Sequence, residues 1–301
     1  MTAMALTPPS ADGIEIWYTT DGDPSGEPLL LVMGLGMQHV AWDDELVAMF
    51  VERGYFVIRH DNRDVGLSTK PDVGDLDTRA QIRAALGGGE AEAPYLLTDM
   101  ASDAVAVLDD LNVASAHVVG ASMGGMIAQT LAIENPARVR TLTSVMSTTG
   151  ATDVGQPRPD VLGVLLGPAP ANRDEAVARS LAVSAAIGSP GLVDEEAVVA
   201  KAGLAWDRCA YPEGMTHQLL AITSSPDRTA ALGAVTIPTM VVHGSVDPLV
   251  APSGGKATAQ AIPGAELIMV EGMGHDVPRS HWSTLVDAVS GLAAGADAAA
   301  R

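Results

Sequence analysis

The sequence predicts an α/β fold in which a mostly parallel, eight-stranded sheet is flanked by helices and carries a helical insertion. Up to about residue 146, short apolar runs alternate with stretches of helical length, which is typical of parallel β-α-β units. The alternation stops between residues 150 and 232, where short helical segments are broken by prolines, and it then resumes. We therefore expect one core domain, formed by residues 1–149 and 233–301, and an inserted helical cap formed by residues 150–232.

Each predicted strand follows from a local hydrophobic pattern. Residues 14–19 alternate between apolar and polar side chains and precede a turn cluster, which predicts a strand in an amino-terminal antiparallel pair. Six further runs are almost continuously apolar, as expected for parallel strands that are buried on both faces. These runs are residues 28–33, 55–60, 116–119, 139–146, 237–243 and 265–270.

The predicted helices follow from amphipathic spacing and from acidic residues in their first turns. Asp99 and Asp103, for example, lie near the amino terminus of a helix, where negative charge is favourable. The helices are expected at residues 42–53, 78–86, 98–111, 126–132, 252–261 and 280–292. Beyond residue 292 the chain is expected to fray.

The stretch around Ser122 has the clearest functional pattern. Residues 120–124 read Gly-Ala-Ser-Met-Gly and lie between a predicted strand and a predicted helix. This G-x-S-x-G arrangement is the nucleophile elbow, a sharp turn that forces the serine into sparsely populated backbone space and needs glycines for room. Five letters alone arise easily in a chain with 31 glycines. The flanking strand and helix make the pattern specific, and it predicts Ser122 as a nucleophile.

A serine hydroxyl needs a base and an orienting acid, and the last two predicted strands are each followed by a candidate. Asp247 follows the penultimate strand and His275 follows the last one. Loops after parallel strands open at the same edge of a sheet, so both side chains can meet Ser122 there. His275 would accept the serine proton while Asp247 fixes its tautomer. His243 and Asp276 are the competing base and acid, but His243 lies on a strand and Asp276 is adjacent to His275.

Acyl transfer also needs N–H donors for the developing oxyanion. The N–H of Met123 directly follows the nucleophile, and a second donor is expected from Leu35, with Gly34 and Gly36 as alternatives. Apolar residues near the predicted sheet edge and in the insertion are candidates for a substrate pocket, although the same apolar pattern also fits residues of the core. The pocket candidates are Met33, Met37, Trp42, Met146, Trp206 and Leu249.

Composition excludes several classes of partner. The 17 basic and 37 acidic residues give a net charge of −20, which repels nucleic acids and anionic lipids. The single cysteine, Cys209, rules out an internal disulfide, and no apolar run is long enough to span a membrane. The first nine residues lack Lys and Arg, unlike a signal peptide. We expect a cytoplasmic monomer or homodimer that acts on a small molecule.

No cofactor or metal is expected. Gly34-Leu35-Gly36 resembles the start of a dinucleotide fingerprint but lacks its third glycine, and residues 253–257 lack a complete phosphate-binding loop. The histidines do not have the spacing of metal ligands on a shared element. Residues 60–68 follow a strand and mix charges at a turn, so they are expected to hold that loop in place.

Taken together, these motifs resemble those of the serine-nucleophile α/β-hydrolases over nearly the whole chain. Within that fold, residues 31–34, 58–68, 117–124 and 272–275 resemble the aclacinomycin methylesterase type and related actinobacterial esterases. Many α/β-hydrolases have His-Gly in the oxyanion loop, whereas this chain has Met33-Gly34, a form that the methylesterase subgroup shares. Residues 150–232 are the least similar, so the resemblance does not carry the identity of the substrate.

The resemblance implies a carboxylic ester hydrolase that uses Ser122, Asp247 and His275 and forms an acyl-enzyme on uncharged, moderately apolar esters. It also supports Leu35 and Met123 as oxyanion donors. A cofactor-free perhydrolase of the haloperoxidase type and a C–C bond hydrolase use the same side chains, so both stay open. From another class, a pseudo-hydrolase that binds a ligand without turnover also stays open.

Overall fold

The structure is a computed structural model that describes residues 3–299, and in this range eight strands form one sheet. In chain order the strands are β1 (Ala3–Leu6), β2 (Trp17–Asp21), β3 (Glu27–Val32), β4 (Tyr55–His60), β5 (Ala116–Ala121), β6 (Val139–Val145), β7 (Thr239–Gly244) and β8 (Glu266–Val270). Their order across the sheet is β1-β2-β4-β3-β5-β6-β7-β8. Strands β3 to β8 pair in parallel, while β1 and β2 are antiparallel to their neighbours. The predicted sheet is therefore confirmed.

Eleven α-helices are found within residues 3–299. They are α1 (Asp44–Glu52), α2 (Thr78–Leu86), α3 (Leu97–Asp110), α4 (Met123–Glu134), α5 (Pro159–Leu165), α6 (Arg173–Ile187), α7 (Glu195–Arg208), α8 (Glu213–Ser224), α9 (Thr229–Leu232), α10 (Pro252–Ala261) and α11 (Trp282–Ala299). None of the helices in this range combines the length and hydrophobicity that crossing a bilayer requires.

Both faces of the sheet are covered, which explains why its central strands are apolar without interruption. In β3, Leu30 and Val32 belong to one buried cluster with α3 and α4, while Leu29 and Leu31 belong to a second cluster with α1 and α11. All four side chains are fully buried. A strand that contacts helices on both sides cannot place polar residues at alternate positions without burying them.

Strand β2 begins three residues later and ends two residues later than the strand predicted at residues 14–19. Ile14 and Ile16 are buried, but their N–H groups donate to the hydroxyls of Ser10 and Thr7, each at 3.0 Å, and not to a strand. Side-chain hydroxyls thus replace the ladder over residues 14–16. The alternation of apolar and polar residues at positions 14–16 therefore reflects which side chains are buried, not pairing with another strand.

The last helix is longer than predicted. It continues through Ala299, although the chain was expected to fray after residue 292. Ala293 is buried against the sheet, and the alanines that follow favour helix. The expectation was wrong for residues 293–299, and residues 300 and 301 lie outside the described part.

Five helices, α5 to α9, lie between β6 and β7. Helices α6 and α7 pack against each other, and α8 packs against α2. No side chain of α6 is fully buried, which suits a helix that covers an edge of the domain rather than its core. The boundaries of a cap at residues 150 and 232 stay a prediction.

Candidate active site

The turn at Ser122 has the backbone conformation that the elbow pattern predicts. Ser122 has φ 57° and ψ −120°, between the end of β5 and the start of α4. A Cβ atom at Gly120 would lie 2.1 Å from the carbonyl oxygen of Gly124, and one at Gly124 would lie 2.1 Å from that of Val32. Only glycine fits at either position, because the two backbones cross in contact.

Two hydrogen bonds hold the strained serine in place. Its N–H donates to the carbonyl oxygen of Val145 at 2.9 Å, and its own carbonyl accepts from the hydroxyl of Ser147 at 2.8 Å. Both partners lie at the carboxyl end of β6 or directly after it. The neighbouring strand therefore stabilises a conformation that costs about 1–3 kcal/mol in an isolated chain.

The structure brings together the three side chains predicted to form the triad. His275 Nε2 lies 2.9 Å from Ser122 Oγ, and His275 Nδ1 lies 2.7 Å from Asp247 Oδ2. The other carboxylate oxygen of Asp247 accepts the N–H groups of Leu249 and Val250, both at 2.9 Å. A carboxylate only accepts, so the imidazole proton lies on Nδ1 and Nε2 is free to accept the serine proton.

The two competing residues form their hydrogen bonds with other groups, although His243 Nε2 also lies 3.5 Å from Asp247 Oδ2. His243 is fully buried on β7, and its Nε2 donates to the carbonyl oxygen of Val250 at 2.8 Å. Burial lowers its pKa, which keeps the ring neutral at pH 7. Asp276 accepts the N–H of Ser189 at 2.8 Å and also the hydroxyl of that residue.

The loop after β3 passes directly beside the serine. A Cβ atom at Gly34 would lie 3.2 Å from the Cβ atom of Ser122. The N–H of Gly36, one of the alternative oxyanion donors, is already bonded to the side-chain oxygen of Gln218 at 2.7 Å. Across residues 3–299, the N–H groups of Leu35 and Met123 have no protein acceptor. They are free to bind an oxyanion, and their role stays a prediction.

The predicted pocket residues have different environments. Met33, Trp42 and Met146 are less than a tenth exposed and belong to the buried cluster that contains α1 and α11. Met37 is half exposed. The other two are partly buried, Trp206 on α7 and Leu249 in the loop after β7. Which of these six residues contact a substrate stays a prediction.

The loop after β4 connects the core to the inserted helices through one buried carboxylate. Asp61 accepts the N–H of His39 at 2.8 Å and that of Leu67 at 2.9 Å, and it pairs with the guanidinium of Arg208 at 3.0 Å. Burial alone opposes ionisation, but the hydrogen bond and charge of His39 and the charge of Arg208 outweigh it and lower the pKa of Asp61 to about 2. The loop is held in place by this network.

Two residues that contact the site loops were not identified from the sequence. Gln218 binds the loop after β3, and Ser189 binds the loop that contains His275. Each lies in the inserted region, far along the chain from its partner, and neither belongs to a local motif. Within the described residues, no group of three or more His, Cys, Asp or Glu side chains is arranged to hold a metal ion.

Comparison with known proteins agrees with the fold. A family model described as the alpha/beta hydrolase fold matches residues 27–278. Rhodomycin D methylesterase DnrP from Streptomyces peucetius is 30% identical, and the alignment covers 92% of this chain and 94% of the relative. Rhodomycin D methylesterase DauP from Streptomyces sp. (strain C5) is 31% identical with the same coverage of both chains.

Solved structures share the fold at lower sequence identity. The esterase RhEst1 from Rhodococcus sp. ECU1013 is 20% identical, with a TM-score of 0.74 over 97% of this chain and 98% of that chain. At this identity the likeness concerns the fold alone. The family match, which spans most of the chain, is decisive: the chain belongs to the alpha/beta hydrolase fold family.

Proposed function

We propose that the protein is a carboxylic ester hydrolase that works through an acyl-enzyme on Ser122. The observation that carries this proposal is the continuous hydrogen-bonded chain from Asp247 through His275 to Ser122, with contacts of 2.7 and 2.9 Å. The similarity to two methylesterases over nine-tenths of the chain supports ester hydrolysis over other reactions of the fold.

The first half of the reaction follows from this chain of contacts. Ser122 Oγ attacks the ester carbonyl carbon while its proton moves to His275 Nε2, and Asp247 stabilises the imidazolium that forms. The carbonyl π electrons move onto oxygen, and the N–H groups of Leu35 and Met123 donate to that oxyanion. One such donor is worth about 3–4 kcal/mol in the transition state. The intermediate then collapses, and His275 gives its proton to the departing alkoxide.

The second half repeats these steps with water as the nucleophile. His275 Nε2 accepts a proton from water as its oxygen attacks the acyl carbon of the ester on Ser122. The new oxyanion collapses, the bond to Ser122 Oγ breaks, and His275 returns the proton to the serine. The carboxylic acid leaves, and neither a metal nor a cofactor takes part in any step.

We propose uncharged, moderately apolar esters as substrates. The pocket candidates are methionine, leucine and tryptophan side chains, which favour apolar acyl or alcohol groups. The strongly acidic chain disfavours anionic substrates at long range. We also propose that residues 150–232 act as the cap of this pocket and that the protein works in the cytoplasm.

Burst kinetics with p-nitrophenyl acetate and butyrate test the proposal. We expect a burst equal to the enzyme concentration in the wild type and none in Ser122→Ala. Measurements on methyl esters of increasing acid size then locate the preferred substrate. If the protein halogenates a substrate with hydrogen peroxide faster than it hydrolyses any ester, the perhydrolase is favoured. If it cleaves a C–C bond faster than it hydrolyses any ester, the C–C bond hydrolase is favoured. Tight ligand binding without a burst would favour the pseudo-hydrolase and overturn the proposal.

A further inference from the structure

The end of α6 and the segment after it contact the backbone of His275 and of the residue before it, and the side chain of the residue after it. The N–H of His275 donates to the carbonyl oxygen of Ile187 at 2.7 Å, and the N–H of Gly274 donates to Ser189 Oγ at 2.9 Å. The hydroxyl of Ser189 in turn donates to Asp276, which also accepts the N–H of Ser189 at 2.8 Å. We call residues 187–189 the clamp.

The clamp fits closely against its loop. A Cβ atom at Gly274 would lie 2.6 Å from backbone atoms of Gly188 and Ile187, and one at Gly188 would lie 2.7 Å from a methyl group of Val193. Ser189 is completely buried. Hydrogen bonds that water cannot replace are costly to lose, so the buried serine hydroxyl fixes the distance between the clamp and the loop.

The hydroxyl of Ser189 accepts one hydrogen bond and donates another. It accepts from the residue before His275 and donates to the residue after it. Both neighbours of the imidazole-bearing residue are therefore tied to one side chain of the inserted region. The backbone N–H of His275 itself is tied to the same segment through Ile187.

We infer that Ser189 is a positioning residue for His275, and that through it the inserted helices set the distance between the imidazole and Ser122. The inference rests on the proposed function, since it assigns a task to His275 as the base. Ser189 does not replace Asp247, which binds the ring nitrogen. It holds the main chain from which the ring extends.

The expected size of the effect follows from the tolerance of proton transfer. A displacement of about 1 Å between reacting groups costs about 100-fold in rate. Loss of Ser189 Oγ leaves the N–H of Gly274 without its buried acceptor and frees one bond to Asp276. We therefore expect kcat to fall by about 10- to 100-fold in Ser189→Ala while KM changes less than about twofold.

Variants of Asp276 separate hydrogen bonding from charge. Asp276→Asn keeps an oxygen that can accept both bonds from Ser189 and should retain most of the wild-type kcat. Asp276→Ala removes the acceptor and should resemble Ser189→Ala. The double variant should be no worse than the poorer single variant, because both remove the same link. Ser184→Ala, one turn earlier on α6, is the matched control and should behave as wild type.

The decisive readout is the low-field proton resonance of the His275 Nδ1–H bound to Asp247, measured by NMR together with kcat and KM. We expect it to broaden or shift in Ser189→Ala and Asp276→Ala and to persist in Asp276→Asn and Ser184→Ala. Unchanged kcat in Ser189→Ala would overturn the inference. So would a loss of kcat with an unaltered resonance, or equal losses in Asp276→Asn and Asp276→Ala.

The experiment gives different results if the inference about Ser189 is wrong and if the proposed function is wrong. If the wild type hydrolyses no ester, the proposed function fails, but the proton resonance still compares the variants with the wild type. If the wild type hydrolyses esters and the variants match it in kcat and in resonance, only the clamp fails. Should Ser189→Ala not fold, the Asp276 pair gives the answer.

Discussion

The side-chain oxygen of Gln218 accepts the N–H of Gly36 at 2.7 Å, which joins α8 of the inserted region to the loop beside Ser122. The amide nitrogen of Gln218 donates to the carbonyl oxygen of Arg63 at 2.8 Å, and the residue is completely buried. One side chain thus connects the loops after β3 and β4. The loop that contains Leu35, the predicted oxyanion donor, is therefore bonded to α8.

Removing this amide should impair catalysis more than binding. Both Gln218→Ala and the similarly sized Gln218→Met leave two backbone groups without partners, and we expect kcat for p-nitrophenyl esters to fall about tenfold in each. Gln156→Met is the control, because that exposed amide bonds only to the carbonyl oxygen of Thr152 among the described residues. An unchanged kcat in Gln218→Met would contradict a role in holding the loop.

The glycines of the elbow should tolerate no side chain. Gly120→Ala places a methyl group 2.1 Å from a carbonyl oxygen, so we expect loss of about 3 kcal/mol or more in the free energy of unfolding, measured in urea. Gly291→Ala, on the exposed side of α11 with no atom within 4 Å, is the matched control and should stabilise by about 0.5–1 kcal/mol. Equal stability of the two variants would contradict the close crossing of the backbones.

The buried pair between Arg208 and Asp61 should matter for stability. Arg208 is also stacked over the ring of Trp17 at 4.8 Å and bonded to Gln38. Replacing it by methionine leaves the buried carboxylate with less compensation, and we expect a loss of about 3 kcal/mol in chemical denaturation. The double variant Arg208→Met with Asp61→Asn should lose less than the sum of the two single variants.

An exposed ion pair provides the comparison for that experiment. Arg158 binds Asp160 at the surface, where solvent screens the interaction. Arg158→Met should leave the free energy of unfolding nearly unchanged. If Arg208→Met behaves the same way, the network around Asp61 does not hold the inserted region on the core.

The protein should lose stability on mild acidification because of His60. Burial lowers the pKa of this histidine to about 4 from 6.5, and its Nε2 bonds to the side-chain oxygen of Asn62. Between those two values the unfolded chain binds a proton that the folded protein does not. The free energy of unfolding therefore falls as pH drops through this window, by about 3 kcal/mol in total.

Urea denaturation at several pH values between about 7 and 4 measures this slope. The variant His60→Gln lacks the titrating ring and keeps an amide that can donate to Asn62, so its slope should be shallower than that of the wild type. Parallel slopes in the two proteins would show that another group is responsible.

Features that depend on residues close together in the sequence could be predicted from it. The elbow needs only a strand, a helix and two glycines around Ser122, and all of these lie within one short segment. Asp247 and His275 could be added because parallel strands present their following loops at one edge. The local pattern and one topological rule were sufficient to predict that these three side chains lie together.

Contacts made by the inserted region could not be predicted in this way. Ser189 meets Gly274 across 85 positions, and Gln218 meets Gly36 across 182, with no repeating pattern to link them. Hydrophobic alternation also misplaced the start of β2, because hydroxyl groups satisfy the backbone of Ile14 and Ile16. The first case depends on contacts between distant residues, and the second on local side-chain hydrogen bonds that a hydrophobic pattern does not report.

The central claim is that Ser122 becomes covalently acylated with His275 as its base. Treatment with a fluorophosphonate probe, followed by peptide mass spectrometry, tests it most directly, because the adduct mimics the tetrahedral intermediate. We predict one adduct, on the peptide that contains Ser122, which disappears in Ser122→Ala and forms far more slowly in His275→Ala. A wild-type protein that stays unlabelled, or an adduct on another residue, would contradict the claim.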